Sequence, residues 1–235
     1  MITSVLRFEK IKSFTAINLS ESHVYRYSET PNANAEKTHL NSVIIGKPNI
    51  SDRIKKIYEN LNIKPRKNAV LAMDCILSLS NGAFKNEGNI EEFHKSAKTF
   101  LEKTFKGRCI SAVIHLDETT PHVHAVILPL EKKGGKWKLN ARKLFSKTTL
   151  SDYQKKYYNH MKNVFPKLNP PLHGRKACHN SIKHYYNSIN TSLERTIELK
   201  SKIESINTNE YYAKNYGEIE LGLELELESY KKPKS

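Results

Sequence analysis

The sequence predicts an α+β fold in which an antiparallel sheet is covered by helices. Two apolar segments, residues 109–116 and 122–130, have the composition of buried strands, and only a short polar stretch separates them, which favours an antiparallel hairpin. Two other segments, residues 90–105 and 150–165, repeat apolar residues at helical spacing. Strands and helices combined in this way are typical of a two-layer or three-layer sandwich.

The N-terminal part is predicted to contain a strand, a loop and a helix. Residues 2–8 are partly apolar and suit a first strand, whereas residues 11–22 fit neither periodicity. Residues 23–41 are polar and predict a long loop. Ser51 has the side chain of an N-cap, and apolar residues at helical spacing extend the following helix to Leu61.

The middle of the chain supplies the remaining elements. Residues 69–80 form an apolar run of the buried-strand type. The helix of residues 90–105 is closed by Gly107, and the sequence K-K-G-G-K at 132–136 predicts a turn. The helix of residues 150–165 ends before a proline.

The positive charge is confined to the first four-fifths of the chain. The 235 residues carry 39 basic and 24 acidic side chains, a formal charge of +15. Residues 191–235 hold 7 basic and 9 acidic side chains, so residues 1–190 hold 32 and 15, which is +17. This charge favours a polyanion such as nucleic acid, although a well-solvated surface has the same composition. We predict a functional domain at residues 1–190 and, at residues 191–235, a helical or poorly ordered extension of unknown role, for which an interaction tail is one interpretation.

Composition excludes several classes of protein. Hydrophobic residues make up 38% of the chain, enough for a packed core, and no apolar run approaches the roughly 20 residues of a membrane helix. The N-terminus lacks the apolar segment of a signal peptide. Three scattered cysteines, Cys75, Cys109 and Cys178, argue against a disulfide framework, so we expect a cytoplasmic protein without a membrane span.

Three histidines lie close together in the predicted hairpin. His122 and His124 alternate along one strand, so both imidazoles project from the same face, and His115 lies near the end of the preceding strand. If the hairpin forms, the rings can converge on a metal ion such as Mn, Zn, Ni, Co or Cu, with positions left open for catalysis. Asp117 and Glu118, in the intervening loop, can orient a ligand histidine or accept a proton.

Two other interpretations compete with a catalytic metal. Histidines on a strand face are often ordinary polar residues, but a third histidine and two carboxylates nearby favour a site. A structural zinc site is disfavoured because no cysteine is close enough in sequence to supply a fourth ligand. A metal site within a domain of charge +17 indicates a nucleic-acid phosphodiester as the substrate.

The segment H-L-D-E-T-T-P-H-V-H, from His115 to His124, resembles the metal motif of the HUH endonucleases, and in detail that of the MobV-type (Pre/Mob) plasmid relaxases. That family's motif reads HxDExxPHxH, and the chain matches every fixed position. The resemblance covers about residues 1–185 and implies an HUH relaxase-like fold. Other similar stretches are V-L-R-F-E-K-I-K at 5–12, S-H-V-Y-R at 22–26, T-H-L-N at 38–41, and the segments near 66–70 and 135–140.

The resemblance implies an activity. Relaxases nick one DNA strand at an origin of transfer by transesterification, stay covalently joined to the 5′ phosphate, and rejoin the strand by the reverse reaction. In MobV-type proteins a histidine of the N-terminal motif is implicated as nucleophile, which by position is His23, with the family arginine at Arg26. Glu118 is then a candidate base. Tyr25 and Tyr27 stay alternative nucleophiles, because most HUH enzymes use tyrosine.

The resemblance also implies a cofactor and partners. We expect a divalent metal bound by His115, His122 and His124, with Mn2+ first and Mg2+ or another divalent ion as alternatives. The expected partner is plasmid DNA at an origin of transfer, as a single strand or a hairpin, and the conjugative coupling machinery is a further candidate. Family members commonly dimerise through a long C-terminal region, of which little follows residue 190 here, so no oligomeric state is carried over.

Basic residues and one tryptophan are the candidate contacts to DNA. Basic side chains neutralise phosphates, and an aromatic ring stacks on an unpaired base. As a set they predict DNA binding that weakens steeply as salt rises. The candidates are Arg7, Lys10, Lys12, Lys47, Arg66, Lys67, Lys136, Trp137, Lys138, Arg142 and Lys143.

Two other functions share these features. A rolling-circle replication initiator or a single-strand transposase would have the same metal motif with a differently placed tyrosine nucleophile. A DNA-binding autoregulator would keep the site without catalysis. Nicking of supercoiled plasmid in Mn2+ distinguishes the enzymes from the autoregulator.

Overall fold

The computed structural model describes residues 2–170, which form a six-stranded sheet, a separate two-stranded hairpin and helices. The predicted extension at residues 191–235 lies outside the described residues. The strands are β1 (Ile2–Ile11), β2 (Ser42–Ile45), β3 (Ala72–Leu79), β4 (Cys109–His115), β5 (His122–Ile127), β6 (Leu130–Lys133), β7 (Lys136–Leu139) and β8 (Leu168–Asn169). The helices are α1 (Phe14–Val24), α2 (Ile50–Asn60), α3 (Glu87–Phe105), α4 (Ala141–Leu144) and α5 (Lys147–Lys162), with 3-10 helices at Ala35–Leu40 and Asn81–Ala83.

The large sheet is antiparallel except at one edge. Its order is β2-β4-β5-β3-β1-β8, and only β8 runs parallel to its neighbour among the described strands. The predicted hairpin is confirmed as β4 and β5, with His115 directly opposite His122. The predicted turn is confirmed at Gly134 and Gly135, between the paired strands β6 and β7.

Helices cover both faces of the sheet, so the fold is a three-layer sandwich and the predicted α+β class is confirmed. On one face, Tyr157 of α5 joins a buried core with residues of α3 and the sheet. On the other face, Ile17 of α1 and Ile54 of α2 form a second core with Val126 of β5. His124 is two residues from Val126, so its side chain lies on the α1–α2 face.

Residues 11–22, which fit neither periodicity, contain most of α1. Ser13 caps this helix by accepting a hydrogen bond from the Ala16 N–H at 3.1 Å. Only Ile17, Glu21 and Val24 of the helix are buried, which is too sparse a pattern to reveal it. The predicted loop at residues 23–41 therefore starts inside α1 and also contains a 3-10 helix.

Ser51 is not the N-cap of α2, and the sequence prediction was wrong at this point. The helix begins at Ile50, and Asn49 before it has a left-handed backbone with φ of 65°. The Glu21 carboxylate of α1 accepts hydrogen bonds from the N–H groups of Asn49 at 2.5 Å and Ile50 at 2.9 Å. A carboxylate distant in sequence thus caps the helix and offsets its dipole.

The helices α3 and α5 begin slightly before their predicted starts, and α4 was not predicted. Asn86 caps α3 by accepting from the Asn89 N–H at 2.9 Å, and Ser146 caps α5. Among residues 2–170, no helix has both the length and the apolar character needed to cross a membrane. Cys75 and Cys109 are buried free thiols.

Candidate metal centre

The three predicted histidines converge at one end of the β4–β5 hairpin. His115 ends β4, and His122 and His124 lie on β5. The ring centroids are 5.1 Å apart for His115 and His122, 5.0 Å for His115 and His124, and 4.9 Å for His122 and His124. We call these three side chains the histidine cluster. Two of its members are buried, since His115 is 0% and His124 7% exposed, and the His122 side chain is 14% exposed.

Two of the rings each direct one nitrogen at a backbone carbonyl. His115 Nε2 lies 2.8 Å from the Val24 carbonyl oxygen, and His122 Nδ1 lies 2.9 Å from the Thr120 carbonyl oxygen. Because a carbonyl can only accept, these nitrogens carry the protons, and the other nitrogen of each ring keeps its lone pair. Metal-binding histidines fix their tautomer and orientation in this way.

The third ring faces a carboxylate that the sequence did not reveal. His124 Nδ1 lies 3.8 Å from Asp74 Oδ1, and within residues 2–170 neither buried atom has a hydrogen-bond partner. Asp74 lies on β3, diagonally across from His124 and on the same face of the sheet. It belongs to the apolar run that predicted a buried strand, so only the pairing of β3 with β5 identifies it.

Two of the remaining ring nitrogens lie close together. His122 Nε2 and His124 Nε2 are 3.2 Å apart. Ligand atoms of His23, His115 and His124 lie within 4.8 Å of one another, and so do those of His115, Glu118 and His122. When His124 carries its proton on Nδ1, two lone pairs face each other, and a cation between them relieves the repulsion. A donor set of imidazoles with one carboxylate nearby fits a divalent transition-metal ion.

His23 reaches the histidine cluster from the C-terminal end of α1. Its ring centroid lies 5.2 Å from that of His124 and 5.8 Å from that of His115. Burial, and then the positive charge of His124 and Arg26, lowers the pKa of His23 to about 4. The imidazole is therefore neutral at pH 7 and offers a lone pair for ligation or attack.

Arg26 connects the end of α1 to the loop between β4 and β5. Its backbone has a positive φ of 57°, and its side chain is 8% exposed. The guanidinium donates to both carboxylate oxygens of Asp117 at 2.9 and 2.8 Å, to Glu118 at 2.6 Å and to the His23 carbonyl at 2.9 Å. One terminal nitrogen is also 3.1 Å from His115 Nδ1. Arg26 thus contributes a fixed positive charge, because its guanidinium N–H groups are already engaged within the protein.

The two loop carboxylates are ionised by their surroundings. Burial opposes the ionisation of Glu118, but the neighbouring histidines and Arg26 outweigh it and lower the pKa of Glu118 to about 2. Burial likewise opposes ionisation of Asp117, and hydrogen bonds from Arg26 and Asn41 hold the pKa of Asp117 well below its usual range. Both side chains are carboxylates throughout the neutral pH range.

Asp117 is held by the T-H-L-N stretch before β2. Thr38 Oγ1 and Asn41 Nδ2 donate to Asp117 Oδ2 at 3.2 and 2.7 Å. Asn41 Oδ1 in turn accepts from the Leu116 N–H at 2.7 Å. In the described part of the chain, no hydrogen bond joins Asp117 to a histidine ring, so Asp117 acts on the histidine cluster through Arg26.

The two alternative nucleophiles, Tyr25 and Tyr27, have no ring contact with the histidine cluster among residues 2–170. Tyr25 OH pairs with Ser111 Oγ at 3.2 Å, and burial raises the pKa of the Tyr25 phenol. Tyr27 is 63% exposed and stacks on Tyr25 with a centroid distance of 5.9 Å. Over residues 2–170, the ring contacts of the histidine cluster include His23 and neither tyrosine, so the geometry favours His23.

Among the predicted DNA contacts, Arg7 lies on the face of the sheet that carries the histidine cluster. It is paired opposite Ile76 of β3, which is itself opposite His124 of β5. Lys10 lies on the opposite face of β1. Two further candidates are exposed near the ends of β1 and β2, namely Lys12 and Lys47.

A second group of predicted contacts surrounds one cavity of about 620 Å³. Its walls come from the segments 62–70 and 137–142, and we call it the basic cavity. The predicted contacts that line it are Arg66, Trp137, Lys138 and Arg142. Lys67 and Lys136 are exposed next to it in sequence, and Lys143 forms an ion pair with Glu131.

Comparison with known sequences identifies related proteins. The family model described as plasmid recombination enzyme (Mob_Pre) matches residues 1–213. A 65 kDa protein of Zymomonas mobilis is 29% identical over 210 residues, which cover 86% of this chain and 35% of that protein. The plasmid recombination enzyme type 3 of Staphylococcus aureus is 30% identical over 174 residues, which cover 69% of this chain and 41% of that enzyme. The chain thus spans well under half the length of these relatives.

Solved structures share the fold. The MobM relaxase domain, Mn-bound and bound to plasmid pMV158 oriT DNA, gives a TM-score of 0.70 at 23% identity, with 79% of this chain and 99% of that chain covered. The same domain bound to a 26-nucleotide oriT DNA gives a TM-score of 0.61 at 22% identity, with 78% and 99% covered. This likeness confirms the expected relaxase-like fold.

Proposed function

Since the chain belongs to the plasmid recombination enzyme family, whose model matches residues 1–213, we propose that it nicks one strand of origin-of-transfer DNA by metal-dependent, site-specific transesterification. The reaction leaves the 5′ phosphate covalently joined to the protein and frees a 3′ hydroxyl, and its reversal rejoins the strand. One observation carries the proposal. His23 lies against the histidine cluster, and ligand atoms of His23, His115 and His124 lie within 4.8 Å of one another.

The proposed metal ligands are His115, His122 and His124. Mn2+ is the first choice because the MobM relaxase domain, which has this fold, is Mn-bound in its crystal structure. When bound, the ion supplies a Lewis acid that polarises the scissile phosphate. The protein contributes orientation, because backbone carbonyls hold two of the rings and Asp74 faces the third.

His23 is the proposed nucleophile. A pKa of about 4 keeps its imidazole neutral at physiological pH. Attack by a ring nitrogen forms a P–N bond and breaks the P–O3′ bond, while the departing 3′ oxygen takes up a proton and becomes a hydroxyl. The new P–N bond leaves the ring positively charged, so its N–H becomes acidic and can lose its proton. Glu118 is the proposed acceptor because its carboxylate is ionised.

Arginine side chains are proposed to stabilise the phosphate. Arg26 is held by Asp117 and Glu118, so it acts as a fixed positive charge and keeps the α1 end against the hairpin. Arg7 lies in the same row of the sheet as His124 and has no fixed partner of this kind among the described residues. It is therefore the more available contact for a phosphate oxygen.

A nicking assay tests the proposed activity. Supercoiled plasmid that carries the DNA flanking the gene is incubated with the protein and Mn2+. Open circles with protein attached at a 5′ end are expected, and none in EDTA. His122→Ala is expected to abolish both nicking and Mn2+ binding measured by calorimetry. Binding of the plasmid with no nick in Mn2+ would contradict the enzyme and favour the autoregulator.

The identity of the nucleophile is tested separately. Tyr25→Phe and Tyr27→Phe are expected to keep the covalent adduct, whereas His23→Ala is expected to lose it. The chemistry of the adduct gives an independent test, because the P–N bond of a phosphoramidate is cleaved by mild acid and a phosphotyrosine ester survives. An acid-stable adduct, or any adduct in His23→Ala, would rule out His23.

A further inference from the structure

The basic cavity is distinct from the histidine cluster and carries positive charge without a carboxylate. None of its lining residues is acidic. Over residues 2–170, no ion pair involves any of its four cations. Trp137 is 38% exposed on the same lining. The four cations are Lys64, Arg66, Lys138 and Arg142.

Hydrogen bonds hold both walls of the basic cavity in place. Tyr58 OH donates to the Leu71 carbonyl, and the Ile63 N–H donates to the Tyr58 carbonyl at 2.7 Å, so the first wall is tied to the end of α2. On the second wall, the Asn140 N–H donates to the Pro129 carbonyl at 2.8 Å. A preformed cavity loses little entropy when a ligand binds.

The carboxylate beside the basic cavity is already neutralised. Glu131 of β6 accepts a hydrogen bond from the Asn140 amide at 2.6 Å and forms an ion pair with Lys143. Lys132 lies 6.0 Å from the centre of the Trp137 ring and adds a further positive charge nearby. An anion that enters the cavity therefore meets positive charge that no neighbouring carboxylate of residues 2–170 offsets.

We infer that the basic cavity binds one nucleotide of single-stranded DNA, with its base stacked on Trp137 and its phosphate among the cations. This inference rests on the proposed function, because the same DNA strand would reach the histidine cluster. The combination of an aromatic ring with uncompensated cations is the one that single-strand-binding proteins use. An unpaired base is required because a ring in a cavity can stack only on a base that has left the duplex stack.

The chain connects the basic cavity to the histidine cluster through β3 and the two residues before it. Val70 lines the cavity, and Ile76, six residues further on, pairs with His124. An extended chain rises about 3.3 Å per residue, so these six residues span at most about 20 Å. A strand held here is anchored some nucleotides away from the scissile phosphate. This second anchor fixes which phosphate lies against His23.

The single tryptophan of the chain makes the test specific, since the 235 residues include only Trp137. Titration of the full chain with oligothymidylate, in EDTA, is expected to quench the tryptophan fluorescence to saturation. Arg66→Ala and Arg142→Ala are each expected to weaken the apparent affinity at least about fivefold. Lys95→Ala, which removes one cation from α3 on the other face of the sheet, is the matched control and is expected to change it less than about twofold. Circular dichroism checks that each variant is folded.

Additional experiments distinguish a failure of this inference from a failure of the proposed function. His122→Ala removes a proposed metal ligand, and quenching is expected to persist in it even though nicking is lost. Oligothymidylate that binds by fluorescence anisotropy without changing Trp137 emission would overturn the inference and leave the nicking activity untouched. Equal quenching by duplex DNA would overturn it as well.

Discussion

Two of the three imidazoles of the histidine cluster are held by a hydrogen bond from one ring nitrogen. Backbone carbonyls do this for His115 and His122 at normal hydrogen-bond distances, but His124 and Asp74 are separated by 3.8 Å. A buried donor and acceptor that face each other without bonding cost free energy. We therefore expect the Asp74 carboxylate to close on His124 when that ring binds a metal ion.

The substitution Asp74→Asn tests this role of the carboxylate. It is expected to weaken Mn2+ binding about tenfold or more, because a ligand ring without its outer carboxylate is less basic and less well oriented. Calorimetric titration with manganese chloride measures the effect on the metal-free protein. Asp52→Asn, at an exposed carboxylate of α2, is the control. Equal affinities for the two variants would exclude Asp74 from the metal centre.

Sequence spacing predicted some residues of the site and missed others. His115, His122 and His124 could be placed because two lie on one strand and the third is across a short loop. Asp74 and Asn41 could not be placed, because their positions depend on strands and loops that meet them only in the folded chain. The contacts of Arg26 could not be predicted from the sequence either, since they require the positive φ of Arg26 at the end of α1.

At the scale of elements, helix α1 positions both the start of α2 and the His23 side chain. Its Glu21 caps α2, and two residues later His23 lies against the histidine cluster. Glu21 is 8% exposed, so water cannot replace its hydrogen bonds easily. The position of the proposed nucleophile is therefore tied to the stability of the α1–α2 contact.

Glu21→Ala is expected to lower the free energy of unfolding by about 1–2 kcal/mol, because the first N–H groups of α2 lose their acceptor. Urea unfolding followed by circular dichroism measures the change. Glu59→Ala removes an exposed carboxylate from the same pair of helices and should stay within about 0.5 kcal/mol of the parent chain. A similar small effect at Glu21 would mean that the cap does not stabilise α2.

The predicted elements differ in how visible they are in the sequence. β3, β4 and β5 are buried strands in the middle of the sheet, so their apolar runs were evident. α1 has few buried residues and β2 has four residues in all, so neither leaves a periodic pattern. The N-cap of α2 was misplaced because its cap comes from another helix rather than from the adjacent serine.

At the scale of the whole molecule, the site makes the fold sensitive to acid. The pKa values of His23 and His122 are lowered from 6.5 to about 4, and that of Glu118 is lowered from 4.5 to about 2. Between the lowered and the ordinary pKa of each group, the unfolded chain is protonated at that group and the folded chain is not. The stability that these groups contribute is present above their ordinary pKa values and is lost as the pH falls.

The melting temperature of the metal-free protein is expected to fall as the pH decreases from 7 to 4.5. The histidines contribute between pH of about 6.5 and 4, and Glu118 contributes below about 4.5. Scanning calorimetry at constant ionic strength measures the profile. His122→Gln removes one buried titrating ring and is expected to flatten the part between pH 6.5 and 5. A melting temperature that is constant over that interval would contradict the assignment.

The fold class could be predicted because the strongest signals are global ones. The charge of +17 on residues 1–190 and the alternation of buried strands with amphipathic helices indicated a nucleic-acid partner and an α+β sandwich. The choice between two and three layers could not be made, because it depends on α1 and α2 packing on the face opposite α3 and α5. The basic cavity likewise joins segments that only the tertiary fold brings together.

The contacts within the histidine cluster and the contacts that hold the end of α1 against it differ in sequence separation. His122 and His124 are 2 residues apart on one strand of the β4–β5 hairpin. The contact of Arg26 with Asp117, in contrast, joins residues that are 91 positions apart. Local hairpins form within about 1–10 μs, while contacts of high contact order wait for long loops to close. During refolding we expect the imidazoles of the hairpin to assemble first and the α1 end to dock late. The proposed nicking activity would then appear after the proposed metal site has formed.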